Sequence, residues 1–212
     1  MIVWGSRKLF SQNEKKVRQA IDHPLLARTK LIGRGAYSMI FLGASNVFKL
    51  SADRVAYELA ASQMQWQCAS LPKVIGLHGQ IGTTDGGLPL FLMEIEHLEK
   101  LVAGTEQRKL CLSIGRRVRQ NCGRCETVTE QLREAASFLP NGDVRNALNH
   151  LADFAETRPD RALLDMHGSN FMQRPPTGMI VISDPFLDTE IRRKAQKNFL
   201  LAKGLPEATG FW

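Results

Sequence analysis

The sequence predicts an α+β chain in two lobes, a five-stranded antiparallel lobe with one helix followed by a reduced, mainly helical lobe. Three observations predict it. Across residues 31–50, short apolar runs alternate with turns containing glycine and asparagine, the mark of consecutive antiparallel strands. Across 103–156 the periodicity becomes helical, with breaks at Asn121-Cys122-Gly123 and Pro140-Asn141-Gly142. Across 163–186, LLDMHGSNFMQRPPTGMIVISDPF, a strand pattern returns around two acidic residues. A chain of 212 residues, 43% hydrophobic and 23% charged, can bury such cores. The expected lobes are residues 1–96 and 97–212.

The elements follow in order. Ser11-Gln12-Asn13-Glu14 is a capping-box signature, and Val17, Ala20 and Ile21 give the next turns an apolar stripe. This predicts a leading helix ending near His23-Pro24. Leu31-Ile32 enters a hairpin through Gly33, Arg34, Gly35, Ala36, Tyr37 and Ser38. The chain returns at 39–42, and a third strand at 47–50 carries Lys49. A helix is expected over 52–67, then strands over 71–77 and 88–95 joined by the turn at 83–87. Helices are expected over 104–120, 126–138 and 143–156, and a basic closing helix over 189–203.

The chemistry concentrates in 163–186. Asp165 is followed by four residues and then Asn170, and the apolar strand 179–182 delivers Asp184. This order suits phosphoryl transfer, in which one carboxylate faces the acceptor hydroxyl while an amide and a second carboxylate hold metal ions against the phosphates. A hairpin joining Asn170 to Asp184 would supply the geometry. Gly33 and Gly35 would let the lid backbone approach phosphate oxygens, and Lys49 would clamp the α- and β-phosphates. Glu58 either orients Lys49 or lies on the surface, since only nine residues separate the two. The segment holding Glu94 and Glu96 is the expected hinge, whose backbone groups would bond adenine. His167 is read as holding the loop by a hydrogen bond in preference to touching the γ-phosphate.

Composition narrows the partners. The net charge of +7 favours acidic or phosphorylated ones. The clusters Arg116-Arg117-Arg119 and Arg192-Arg193-Lys194 read as solvated helix faces, so no nucleic-acid partner is expected. No run approaches the roughly 20 apolar residues of a membrane helix, and the N-terminus does not read as a secretory signal. A cytoplasmic protein without a membrane partner is expected. Cys122 and Cys125 have ligand-like spacing without a second pair, so reduced structural thiols are preferred to zinc.

With GRGAYSMIF, VFKLS followed by VAYELA, LPKV, LLDMHGSNFM and ISDPF in hand, the chain resembles the protein-kinase-like superfamily over about residues 29–190. More narrowly, it is similar to the early serine/threonine protein kinases of podoviral bacteriophages. The resemblance implies ATP and Mg²⁺ as cofactors and host bacterial proteins, such as transcription or RNA-processing machinery, as substrates in the host cytoplasm. It also implies Asp165 as base or orienter, Asn170 and Asp184 as metal ligands and Lys49 as phosphate clamp. The chain departs from eukaryotic kinases in having Leu163-Leu164 before the catalytic Asp and Asp184-Pro185-Phe186 in place of Asp-Phe-Gly. Leu205-Pro206-Glu207 is read as incidental. Two alternatives stay open: a small-molecule phosphotransferase of the aminoglycoside or choline type, and a non-catalytic inhibitor of a host enzyme.

Overall fold

The computed structural model describes residues 15–120 and 125–202. The capping box at 11–14, the break at 121–123, Cys122, the end of the expected closing helix at 203, the tail glycines and Leu205-Pro206-Glu207 lie outside the described residues. The first lobe is one antiparallel sheet in the order β1-β2-β3-β5-β4. Its strands are β1 (Lys30–Arg34), β2 (Ser38–Leu42), β3 (Asn46–Ser51), β4 (Val74–Thr83) and β5 (Pro89–Glu96). β4 begins three residues later than expected and runs on to Thr83, because β5 offers it partners out to Pro89. Gly87, at φ +78°, allows the tight return, and the Gly87 N–H donates to the Thr84 carbonyl at 3.0 Å.

Two faces of this sheet serve different purposes. Met39, Phe41, Leu50, Leu90 and Leu92 point to one side and pack with Val17 and Ala20 of helix α1 (Lys15–Ile21). Residues of the alternate phase, including Lys49 and its cross-strand partners Ile40 and Met93, face the second lobe. Helix α2 (Arg54–Trp66) follows β3 directly. Asp53 is its N-cap, accepting from the Ala56 N–H at 3.0 Å, and Gln67 ends it in a left-handed conformation. Gln63 then latches the exit, exchanging hydrogen bonds with the Cys68 backbone at 2.8 and 3.2 Å.

The second lobe is built from α3 (Glu106–Gln120), α4 (Val128–Ser137), α5 (Asp143–Glu156) and small strand pairs. Thr127 and Glu130 make both bonds of a capping box at the start of α4. The apolar stripe of α5, including Leu148, Leu151 and Phe154, is fully buried beneath the loop that carries Asp165. Above it, β6 (Glu99–Lys100), β8 (Phe171–Arg174) and β9 (Met179–Ile182) form one sheet, while β7 (Ala162–Leu164) pairs with β10 (Phe186–Asp188). Helix α6 (Thr189–Ala202) closes the described chain.

The two cores exchange helices. Val55 and Leu59 of α2 are buried in the cluster of the second lobe, with Leu148, Ile182 and Phe186. Ile191 of α6 is buried in the cluster of the first, with Met39 and Leu50. Each lobe therefore completes its apolar interior with a residue from beyond the chain crossing at His97-Leu98. Cys68 and Cys111 are buried free thiols, and burial pushes the Cys111 thiol up to about 12. Cys125 donates to Glu134 at 3.0 Å. Among the described residues no helix is long and apolar enough to cross a membrane.

Candidate active site

Short strands bring the three carboxyl and amide residues of 163–186 together through their backbones. β7 and β10 pair Leu164 with Phe186, and the next bond, Asp165 N–H to the Pro185 carbonyl at 2.9 Å, sets Asp165 beside the Asp184 turn. The β8–β9 hairpin pairs Phe171 with Ile182. Ser183 extends it, donating both its N–H (2.8 Å) and its hydroxyl (3.0 Å) to the Asn170 carbonyl. The Asn170 amide nitrogen donates to the Asp165 carbonyl, closing the loop. Residues distant by up to 19 positions thus share one turn of structure.

Lys49 meets this turn from the other lobe. Its ammonium lies 2.9 Å from Asp184 Oδ2, and the lysine side chain is 8% exposed. The Asp184 side chain is 38% exposed, so the pair is buried on one side and open to solvent on the other. The fold is α+β in two lobes, and this pair joins them.

The other charges around this pair are informative. Asp165 is raised from the usual carboxylate value, first by burial and then by the Asp184 charge, against the opposing His167 and Asn170. His167 Nε2 is 3.7 Å from Asp165 Oδ2 and its Nδ1 is 2.7 Å from the Ser169 hydroxyl, a geometry that steadies the loop. Asp53, 5% exposed, is a site residue that sequence reading missed. Burial, followed by the Asp184 charge, pushes it up to about 7 despite the Ala56 and Asp188 N–H groups and Lys49. The sequence expectation of a helix over 52–67 put Asp53 inside it, whereas it is the N-cap of α2.

Glu58 does not join Lys49 in an ion pair. It faces the opposite end of α2's neighbourhood and pairs with Arg54 (2.9 Å), Arg158 (2.8 Å) and Arg161 (3.3 Å). Arg161 also binds the buried Asp188 at 2.7 Å, and the Asp188 N–H donates to Asp53 at 3.3 Å. The three arginines outnumber the one lysine and are closer, so the Glu58 carboxylate is held by them. Arg158 and Arg161 were not singled out from sequence.

The hinge also differs from expectation. β5 is an inner strand, and the 93–95 backbone lies in the ladders to β3 and β4. Glu94 accepts from Asn46 at 2.8 Å and lies 3.5 Å from His78. Glu96 binds Arg174 through two 2.6 Å bonds, and Arg174 further donates to the Ala69 and Leu71 carbonyls. Glu94 thus stays within the first sheet, Glu96 and Arg174 brace the two lobes, and the chain crosses between them at His97-Leu98.

At the lid, the Gly35 N–H donates to the Ser38 carbonyl at 2.8 Å, and a Cβ on Gly35 would sit 3.0 Å from Ser38 Oγ. Gly33, Arg34, Gly35, Ala36, Tyr37 and Ser38 form the β1–β2 turn and its flanks, as expected from the sequence. Tyr37 is partly buried; burial, Asp165 and Asp53 raise its phenol, and Arg192 of α6 opposes them. Behind Lys49, an apolar cavity opens between α2, β5 and the Asp184-Pro185-Phe186 turn, bounded by Leu59, Ala60, Leu71, Met93 and Phe186. On the far side of the loop, Gly115 of α3 lets the helix approach the Met166 carbonyl, since a Cβ there would lie 3.1 Å from it.

No family model and no curated protein matches the sequence. Among solved structures, choline kinase LicA from Streptococcus pneumoniae is similar at TM-score 0.35 and 13% identity, covering 93% of this chain and 77% of that one. Aminoglycoside phosphotransferase APH(3'')-Id from Streptomyces rimosus is similar at TM-score 0.34 and 15% identity, covering 86% of this chain and 88% of the other. The GDP and kanamycin complex of APH(2")-IIia gives TM-score 0.32 and 12% identity, covering 80% and 74%.

Proposed function

We propose that this chain is an ATP- and Mg²⁺-dependent phosphotransferase, a serine/threonine protein kinase of bacteriophage type that modifies host bacterial proteins. The observation that carries the phosphotransferase reading is the 2.9 Å Lys49–Asp184 pair set against the Asp165–Asn170 loop. The donor set fits the metal: the Asn170 amide oxygen and the Asp184 carboxylate are the hard oxygens that Mg²⁺ takes. Bound there, Mg²⁺ would neutralise charge on the phosphates. Lys49 would bind phosphate oxygens beside Asp184. The Asp165 carboxylate would orient the acceptor hydroxyl and take its proton at an oxygen. The β1–β2 turn would cover the phosphates and keep water away, with its backbone N–H groups as donors.

The protein acceptor comes from the sequence resemblance to phage serine/threonine kinases. It is tested with γ-labelled ATP and Mg²⁺ in bacterial lysate, beside parallel reactions containing kanamycin or choline. Labelled protein bands that require the added enzyme support the reading. Labelled kanamycin or choline without labelled proteins would transfer the assignment to a small-molecule phosphotransferase.

A further inference from the structure

Two exposed arginines stand on separate elements, Arg116 on α3 beside the Asp165–Asn170 loop and Arg192 on α6. On α3, Leu112 and Gly115 face that loop: a Cβ on Gly168 would lie 2.9 Å from Leu112 Cδ2, and Gly115 abuts the Met166 carbonyl. Arg116 follows Gly115 and stands one helical turn beyond Leu112, so it borders the same face. Leu112 itself is 40% exposed although it touches the loop. On the lid side, Ile191 anchors α6 in the same cluster that Tyr37 packs against, and the next residue is Arg192. Burial, then the Asp165 and Asp53 charges, raise the Tyr37 phenol and the Arg192 charge opposes them, so Arg192 lies within electrostatic reach of Tyr37. Neither Arg116 nor Arg192 has an ion pair or hydrogen bond among the described residues, in contrast to Arg158, Arg161 and Arg174.

Resting on the protein-kinase reading above, we propose that Arg116 and Arg192 form the acceptor-docking surface, and that its occupant is an acidic protein segment carrying the acceptor serine or threonine. Charge complementarity selects the occupant. Cationic aminoglycosides and choline would meet two guanidinium groups of like charge, whereas Asp or Glu beside the acceptor hydroxyl would pair with them. The exposed Leu112, one helical turn before Arg116, offers an apolar contact to the same segment. Two arginines and an exposed leucine suit a short peptide better than a nucleic-acid backbone, which calls for a continuous basic track with stacking aromatics.

The test uses the full chain, γ-labelled ATP with Mg²⁺, and two protein probes, dephosphorylated casein (acidic) and histone (basic). Wild type is compared with Arg116→Glu, Arg192→Glu and a control of equal charge change far from the loop, Arg28→Glu. Preferred labelling of casein, with KM for casein raised roughly fivefold or more by Arg116→Glu and by Arg192→Glu and not by the control, is the expected result. The KM for ATP should hold in all four proteins. Equal or better labelling of histone overturns the acidic docking surface while leaving the kinase reading intact. Label confined to kanamycin or choline overturns both. A binding readout independent of transfer uses a fluorescent acidic peptide containing serine. Its anisotropy should report affinity lost in the two variants, and unchanged affinity would also overturn the assignment. Tighter binding of single-stranded RNA, lost in the same variants, would replace the acidic segment with a nucleic acid.

Discussion

Arg158 donates to Glu58 at 2.8 Å across a sequence separation of 100 residues, fastening α2 to the turn that leads into β7 and Asp165. Arg161 reinforces the joint by binding Glu58 and Asp188 together. Helix α2 is thereby held against the second lobe by arginines, and Lys49 is oriented by Asp184. Replacing Glu58 with Gln removes one charge facing three cations while keeping the side-chain volume. The expected cost is about 1–2 kcal/mol, because the site is partly open to solvent. Urea unfolding measures it, and an unchanged midpoint would show that the joint contributes nothing.

The same joint gives stability a pH dependence. Burial alone would raise the Glu58 carboxyl, but the Arg158 hydrogen bond and the charges of Arg161, Arg158 and Arg54 outweigh it and lower the value below 4.5. A depressed carboxylate contributes stability that is fully present above its unfolded value and is lost as pH falls through the folded one. Wild type should therefore lose more stability than Glu58→Gln when the pH drops from about 6 to about 3. Parallel loss in the two proteins would contradict the pairing.

Gly115→Ala separates loop position from fold. Alanine improves helix propensity by about 1 kcal/mol, which offsets part of the roughly 1–3 kcal/mol of crowding. The crowding falls on the Met166 carbonyl, adjacent to Asp165. Thermal unfolding should change little while phosphate transfer drops by an order of magnitude or more, since misplacement of about 1 Å can cost roughly 100-fold. Full activity in a stably folded variant would show that the loop tolerates displacement.

Much of this architecture is legible in the sequence because its signals are local. The glycine turn at 33–38, the strand carrying Lys49 and the helical stripe of α5 each declare themselves within a short window. The loop from Asp165 to Asn170 and the strand leading to Asp184 do so as well. Glu58 was ambiguous because its partners, Arg158 and Arg161, lie 100 and 103 residues away, and no periodicity encodes that meeting. Arg174 escaped notice for the same reason, joining Glu96 from 78 residues away. β7 and β10, at three residues each, are too short to show alternation. The chain path through them decides that α6 climbs to the first lobe and buries Ile191 there. Asp53 fell inside the helix expected over 52–67, and only the folded chain makes it the α2 cap and brings it near Asp184.

The most direct test follows ATP binding and γ-phosphate transfer in wild type, Asp165→Asn and Asp184→Ala, each with and without Mg²⁺. Asp165→Asn should retain nucleotide binding and lose transfer by about 10²- to 10⁴-fold, as expected for removal of a general base. Asp184→Ala should lose Mg²⁺-dependent binding together with transfer, because it removes the proposed metal ligand and the partner of Lys49. Transfer at the wild-type rate in either variant would contradict the assignment of this cleft as the phosphoryl-transfer site.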